Sequence, residues 1–210
     1  MIEQRTEEWR QQRCGKFTGS RFADVLARNK RTGEKLKAWH DLVWQIVVER
    51  MTGEPVEGPQ GFALEWGKDV EPFARQAYEL ETGLSVEESE FIQHPKLEFV
   101  GCSPDGLVST DGGLEMKCPK SSIVHIQRFI EGVPTEYIPQ IQGCMWVTGR
   151  DWWDFVSFDP RMPDTHQLLI QRVQRDQAFI DNLAAAVKEA EEAVQALLGK
   201  LSQPAMQEAA

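Results

Sequence analysis

Two carboxylates and a lysine lie within thirteen residues of one another, at Asp105, Glu115 and Lys117. The sequence TDGG at 110–113 is typical of a tight turn, because Asp and Gly accept the backbone angles that such turns require. A hairpin centred there would place Asp105 and Glu115 nearly opposite each other, with Cβ atoms about 5 Å apart. Side chains two positions apart on a strand share a face, so Lys117 would join them. The pattern predicts two carboxylates and one ammonium group in a single patch.

The chemistry that this patch favours is that of a divalent metal ion, because adjacent carboxylates repel unless a proton or cation lies between them. Hard oxygen ligands favour Mg²⁺ or Mn²⁺, which also bind phosphate oxygens. An ammonium group beside such an ion stabilises the negative charge that develops in phosphodiester hydrolysis. A surface hairpin with a cross-strand Glu–Lys pair fits the same residues. The proline before Asp105 and the apolar neighbours of Glu115 favour the metal site instead.

The elements that must position this patch follow from periodicity and capping residues. Helices are predicted at about 6–13, 20–26, 35–52, 62–82, 121–131, 136–148 and 176–200. Strands are predicted within 85–93 and 97–118, and at 152–158 and 167–173. Thr18, Gly19 and Ser20 offer N-cap residues for the second helix. This order predicts an α/β or α+β fold with a central mixed β-sheet flanked by helices. A single domain over 1–201 and a flexible tail over 202–210 are expected.

The charge of the chain is unevenly distributed. The net charge is −10, yet residues 1–37 contain ten Lys or Arg against five acids. A basic face of this kind attracts a polyanion locally, although a solvated helix surface would show the same composition. The apolar stretches are too short to span a bilayer and the first residues do not form a signal peptide, which predicts a cytoplasmic protein without a membrane partner. The four scattered cysteines indicate neither a disulfide framework nor a zinc ribbon.

A family resemblance rests on the segment 104–117, which has the form P-D-x9-E-x-K and resembles the signature of PD-(D/E)xK nucleases. Further segments occur in the same order as in the phage lambda exonuclease family, also called YqaJ-like viral recombinases. They are EEWRQQRCGKFTGS, WGKDVEPFAR, CSPDGL with GLEMKCP, YIPQIQGCMWVTG and FDPRM. Together they span residues 7–162. The resemblance implies a restriction-endonuclease-like core.

The resemblance also implies the metal-binding residues. It implies that Asp105 and Glu115 bind Mg²⁺, for which Mn²⁺ can substitute, with two ions in each active site. The backbone carbonyl of Met116 is implied as a further ligand, and Glu71 as the helical acid that completes the metal site. Lys117 is implied as the catalytic lysine. Taken without the family, Glu71 is also typical of an exposed helix position.

Further roles are implied for residues elsewhere in the chain. Gln140 corresponds to a catalytic glutamine near the nucleophilic water, although a helix-surface residue fits this position as well. Arg13, Ser20 and Ser103 correspond to residues that bind the terminal 5′-phosphate of DNA. Arg13 and Ser20 also suit a helix-end charge and an N-cap.

The implied activity is 5′→3′ digestion of linear duplex DNA, which leaves a 3′ single-stranded overhang for single-strand-annealing recombination. The implied partners are double-stranded DNA ends, a single-strand annealing protein and two further copies of the chain in a homotrimeric ring. An endonuclease or junction resolvase on the same core is an alternative, and so is a non-catalytic DNA-end-binding protein. Members of the family carry a basic residue shortly after the lysine strand, where this chain offers His125 or Arg128.

Overall fold

The computed structural model describes residues 6–56 and 62–203 of the protein. The α-helices in these two ranges are α1 (Glu7–Arg13), α2 (Phe22–Val25), α3 (Lys37–Thr52), α4 (Phe62–Thr82), α5 (Ser122–Glu131), α6 (Ile138–Thr148) and α7 (Gln177–Leu201). The strands are β1 (Phe17–Thr18), β2 (Val86–Glu87), β3 (Ile92–Gln93), β4 (Val100–Cys102), β5 (Gly106–Val108), β6 (Gly112–Lys117), β7 (Trp152–Phe158) and β8 (Leu168–Gln174). Short 3₁₀ turns occur at Gly19–Arg21, Thr135–Tyr137 and Asp164–His166.

The strands form two sheets. Five of them, in the order β2-β5-β6-β7-β8, make a mixed sheet in which β6 and β7 are parallel and the other neighbours antiparallel. A smaller sheet has the order β1-β4-β3, with β1 and β4 parallel. The predicted fold class, a mixed sheet flanked by helices, is therefore confirmed. The division into two sheets was not predicted. β3 and β4 lie within the predicted strand regions, whereas β1, which has two residues, was not predicted.

The central strands of the larger sheet are covered on both faces. All seven residues of β7 are buried. Trp153 and Phe155 belong to a core formed with α2, α3, α6 and α7. Trp152, Val156 and Phe158 point the other way, into a second core formed with α4. A strand between two layers loses the alternation of polar and apolar residues, which explains the continuous run WWDFVSF.

The predicted hairpin is formed by β5 and β6. Gly106 pairs with Leu114 in an antiparallel register. The next positions outward are Asp105 and Glu115, so the register brings these two residues to facing positions. β6 is buried along its length except at its last residue, Lys117. The hairpin therefore ends in charged residues at the margin of the core.

The turn of this hairpin is shifted from the predicted position. The prediction of a turn at 110–113 is wrong, because Gly112 and Gly113 belong to β6 and the connection is formed by residues 109–111. A Cβ on Gly112 would lie 2.0 Å from the Trp152 ring, and one on Gly113 would lie 2.2 Å from the Trp153 ring. Because these glycines have no Cβ, the two indole rings can pack against the backbone there, and the glycines do not form the turn.

Several helix ends follow the predicted capping. The Thr6 hydroxyl accepts a hydrogen bond from the Trp9 N–H at the start of α1. α3 ends at Gly53, whose φ of 73° favours glycine. The prediction that Ser20 caps a helix is wrong, because Ser20 lies inside the 3₁₀ turn. Thr18 occupies the N-cap position of this turn, but its side chain makes no cap hydrogen bond. Ser20 uses its hydroxyl for a contact described below.

The chain boundaries are described only in part. The predicted tail over 202–210 lies almost entirely outside the described residues, which end at residue 203. The single-domain boundaries stay a prediction. Within 6–56 and 62–203, no helix has both the length and the apolar character that a membrane crossing requires.

Candidate active site

The end of β6 gathers the charged side chains singled out in the sequence. Glu115 is completely buried, and the ammonium group of Lys117 contacts Glu115 Oε1. Asp105 lies just before β5, and its Oδ2 accepts a hydrogen bond from the Met116 N–H at 2.7 Å. The structure thus brings the two carboxylates and the lysine to one place.

Gln140 adds an amide to this group. It lies in the first turn of α6, after Pro139, where the missing N–H of proline leaves no helix hydrogen bond unmade. Its Nε2 is 2.8 Å from both carboxylate oxygens of Glu115. The amide therefore holds the orientation of the buried carboxylate.

The electrostatic balance of the cluster is negative. Burial raises the pKa of Glu115, Lys117 lowers it, and the charges of Asp105 and Glu71 raise it. Burial opposes the charge on Lys117, but Glu115 and Asp105 outweigh this effect and raise the pKa of the ammonium group. Three carboxylates beside one ammonium group leave uncompensated negative charge in a poorly solvated place.

Glu71 reaches this region from α4, which packs on the second core through Val70 and Ala74. Its charge acts on Glu115, as described above. It also acts on Cys118, whose pKa is raised to about 12 by burial and by the charges of Glu71 and Asp105. Glu71 therefore lies within electrostatic reach of the other two carboxylates.

The donor chemistry of the cluster fits a hard divalent cation, because three carboxylates and the nearby carbonyl of Met116 supply oxygen ligands. In the geometry observed, the oxygens of Glu115 are bound by Lys117 and Gln140, and Asp105 Oδ2 is bound by the Met116 N–H. Across the two described ranges, no three His, Cys, Asp or Glu side chains are arranged as a ready ligand set. A cation would have to take over oxygens that the amide and the ammonium group now engage.

A second group of residues forms around Arg13 at the end of α1. Its guanidinium donates to the hydroxyls of Ser103 at 3.1 Å, Thr18 at 2.9 Å and Ser20 at 3.0 Å. The Trp9 ring lies 4.3 Å from Arg13 Cζ, and its Nε1 donates to Ser103 Oγ at 2.9 Å. We call these five residues the Arg13 pocket. Sequence reasoning found three of them but missed Thr18 and Trp9, whose contacts no local pattern shows.

Arg13 is a partly buried cation of the basic N-terminal segment. Among the residues that the structure describes, Arg13 has no carboxylate within ion-pair distance. Five other basic residues of this segment are in ion pairs: Arg10 with Glu7, Arg21 with Glu49, Arg28 and Lys35 with Glu189, and Lys37 with Asp41. Burial and the charge of Arg21 lower the pKa of Arg13 to about 10. A partly buried cation without a carboxylate partner in the described ranges suits an anionic ligand.

The Arg13 pocket and the carboxylate cluster are neighbours. Ser103 belongs to the pocket and Asp105 to the cluster, with only Pro104 between them. A Cβ on Gly19 would lie 3.5 Å from Gln140 Cγ, so the turn that carries Ser20 packs against the helix that carries Gln140. An anion at the pocket would therefore lie close to the carboxylates.

His125 and Arg128 are both buried. The ring nitrogens of His125 lie 2.9 Å from Ser157 Oγ and 2.7 Å from a backbone carbonyl oxygen, so both are engaged internally. Arg128 donates to the same Ser157 hydroxyl at 3.0 Å, and its Cζ lies 5.7 Å from the Tyr137 ring. Lys117 Nζ approaches that ring at 5.1 Å. Of the two candidates, Arg128 is the one that approaches the same aromatic ring as Lys117.

Comparison with known proteins identifies the family. Residues 8–151 match the YqaJ-like viral recombinase domain. The chain belongs to this family, which confirms the resemblance drawn from its motifs.

Solved structures extend the comparison to nearly the whole chain. The alkaline exonuclease LHK-Exo from Laribacter hongkongensis is 38% identical, with 93% of this chain and 96% of that chain covered at a TM-score of 0.85. A structure of LHK-Exo in complex with dAMP matches equally well. A phage-related exonuclease from Haemophilus somnus 129PT is 18% identical, with 89% and 96% covered and a TM-score of 0.68. At that identity the likeness shows the fold alone.

One curated relative matches over a shorter segment. The uncharacterized protein ExoD of Escherichia coli (strain K12) is 36% identical over 55 residues, which are 25% of this chain. The match spans 63% of the length of that protein.

Proposed function

We propose that the protein is a Mg²⁺-dependent exonuclease that digests the 5′-ended strand of linear duplex DNA in the 5′→3′ direction and leaves a 3′ overhang. Membership in the YqaJ-like family and the likeness to the alkaline exonuclease support a nuclease. The observation that carries the more specific proposal is the adjacency of the Arg13 pocket to the carboxylate cluster. In this arrangement the guanidinium of the Arg13 pocket would bind a DNA end, and the adjacent carboxylates would bind metal. Cleavage would then occur near that end.

In this proposal the metal is held by Asp105, Glu115, Glu71 and the carbonyl oxygen of Met116. The site would hold two Mg²⁺ ions, which Mn²⁺ could replace. When bound, such ions lower the pKa of a water molecule and stabilise negative charge on the phosphate. The excess of carboxylates over cations in the cluster is the reason to expect them.

Lys117 acts in this proposal as a cation. Its ammonium group contacts Glu115 Oε1, so its charge lies beside the proposed metal ligands. Its positive charge stabilises the charge that develops on the phosphate as the ester bond breaks. Gln140 keeps the Glu115 carboxylate in a fixed orientation through both oxygens.

The Arg13 pocket accounts for polarity in this proposal. A terminal 5′-phosphate carries more negative charge than an internal diester, so it binds more tightly to an uncompensated guanidinium. The hydroxyls of Ser20 and Ser103 add donors to its oxygens. Trp9 and Thr18 hold the guanidinium in place. Binding of the phosphate at the pocket would leave an adjacent ester bond at the carboxylates.

The assembly is part of the same proposal. We expect a homotrimeric ring that acts in the cytoplasm with a single-strand annealing protein during DNA recombination. The surface exposes apolar side chains that suit contacts between subunits, at Trp44, Val48 and Met51 along α3 and at Ile123 and Ile130 on α5. Sedimentation equilibrium of the purified protein measures the number of subunits.

The test of this function uses linear duplexes labelled at either the 5′ or the 3′ end, made with and without a 5′-phosphate, beside a closed circle. In Mg²⁺ we expect early release of the 5′ label, faster from phosphorylated ends, and an intact circle. Cutting of the circle would favour an endonuclease or junction resolvase. Binding of ends without any cutting in Mg²⁺ or Mn²⁺ would favour a non-catalytic end-binding protein.

A further inference from the structure

A buried carboxylate outside the catalytic cluster organises the N-terminal loop. Glu49 of α3 is completely buried. Its Oε2 accepts hydrogen bonds from the Gly15 N–H at 2.7 Å and from Arg21 at 2.9 Å. Its Oε1 accepts from Arg21 at 2.5 Å and from Gln45 at 3.1 Å. A buried charge with this many partners has a strongly determined position.

The loop that Glu49 holds is residues 14–16. The Gly15 carbonyl oxygen accepts a hydrogen bond from Arg50 Nε at 2.8 Å, so both backbone groups of Gly15 are bound by α3. Gly15 has a φ of 69°, which favours glycine, and a Cβ there would lie 2.8 Å from Arg50 Cγ. Arg21 also donates to the carbonyl oxygen of Lys16 at 3.2 Å. The loop is therefore fixed at its centre.

This loop connects the two arms of the Arg13 pocket. Arg13 precedes it directly, while Thr18 and Ser20 follow it. Glu49 also neutralises Arg21, the guanidinium next to Ser20 in sequence. Arg13 thus remains the cation of the pocket that has no carboxylate partner among the described residues. The Glu49 carboxylate therefore binds both the loop between the two arms of the pocket and the guanidinium next to Ser20.

We propose that Glu49 is a positioning residue that sets the preference of the protein for 5′-phosphorylated ends, an inference that rests on the proposed function of the Arg13 pocket. Loss of its charge releases the loop and exposes the charge of Arg21. A free Arg21 binds any DNA phosphate, so 5′-hydroxyl ends and internal positions gain affinity. The phosphorylated end loses its well-placed contacts at the same time. The ratio between the two kinds of end therefore falls, while DNA binding persists.

The test is Glu49→Gln, which keeps the size of the side chain and removes the charge. We measure kcat and KM on two duplexes of one sequence, with a 5′-phosphate and with a 5′-hydroxyl. We expect the kcat/KM ratio of the two substrates to fall about tenfold through KM, as for the loss of one charge-assisted hydrogen bond. The kcat at saturation stays near that of the wild type, because the carboxylate cluster is not altered.

Asp154→Asn is the matched control. Asp154 is also buried and bound by two nitrogens of one arginine, Arg172, at 2.8 Å each, but it faces the core around α4. Its loss should reduce stability and leave the ratio unchanged. A general loss of packing would change kcat/KM for both substrates equally in either variant.

Gly15→Ala is a second test, which disturbs the loop without altering the charge of Glu49. It applies even where Glu49→Gln does not fold. The added Cβ displaces the loop, so we expect the ratio to fall here as well. If the wild type discriminates between the two ends, a wild-type ratio in folded Glu49→Gln overturns the role of Glu49 but not the proposed end recognition. Where Glu49→Gln does not fold, a wild-type ratio in Gly15→Ala overturns it. A wild type that digests both ends at equal rates overturns the end recognition in the proposed function, and the role of Glu49 with it.

Discussion

Replacement of Arg13 by alanine removes the central cation of the pocket and leaves the carboxylate cluster intact. The guanidinium makes three hydrogen bonds to hydroxyl oxygens at distances between 2.9 and 3.1 Å. A hydrogen bond to a charged group contributes about 1.5–3 kcal/mol, and about 1.4 kcal/mol corresponds to tenfold in an equilibrium constant. Loss of one such contact to a terminal phosphate should lower the preference for phosphorylated ends by about 10- to 100-fold.

The assay compares initial rates on 5′-phosphorylated and 5′-hydroxyl duplexes of the same sequence. Arg10→Ala is the matched control, because it removes the same charge from the same helix at a residue paired with Glu7. We expect Arg13→Ala to digest both duplexes slowly and at similar rates, and Arg10→Ala to keep the wild-type ratio. A wild-type ratio in Arg13→Ala would refute the assignment of the pocket.

Three other variants test separate parts of the account. Lys117→Ala should bind DNA ends with unchanged Kd but lose about a hundredfold or more in single-turnover rate. The control, Lys120→Ala, should keep the wild-type rate. Weaker binding of Lys117→Ala with normal turnover would make Lys117 a phosphate clamp. Trp9→Phe keeps an aromatic ring beside Arg13 but loses the indole donor, so the preference for phosphorylated ends should fall less than in Arg13→Ala. Burial raises the pKa of Asp159, but hydrogen bonds led by Arg161 outweigh it and lower the pKa from 3.8 to about 2. The stability that this carboxylate provides above its unfolded pKa is therefore lost from about pH 4 to about pH 2. Urea titrations should show the wild type losing more unfolding free energy over that range than Asp159→Asn, and parallel curves would contradict this.

The parts of the fold that follow local rules could be predicted from the sequence. α3 ends at Gly53 because the chain needs a positive φ there, and glycine accepts it without strain. α7 starts after Asp176, whose side chain accepts a hydrogen bond from the Phe179 N–H. The hairpin register follows from the alternation of side chains on two short strands, which brings Asp105 and Glu115 to facing positions.

The parts that depend on distant packing could not be predicted. Gly112 and Gly113 resemble turn residues locally, and only the indoles of β7 reveal them as strand positions. The contact of Trp9 with Ser103 joins residues 94 positions apart. Glu49 shows no chemical signal in the sequence of α3, because its importance comes from a loop that folds back onto the helix.

The central claim is that the carboxylate cluster hydrolyses DNA with a divalent metal. Asp105→Asn tests it most directly, because asparagine can still accept the hydrogen bond from Met116 but carries no charge to hold a cation. Release of nucleotides from a linear duplex is measured in Mg²⁺ with and without chelator, and Asp111→Asn in the hairpin turn is the control. We expect hydrolysis by the wild type and by Asp111→Asn that stops with chelator, and none by a folded Asp105→Asn. Full activity of Asp105→Asn, or wild-type hydrolysis that persists in chelator, would contradict the claim.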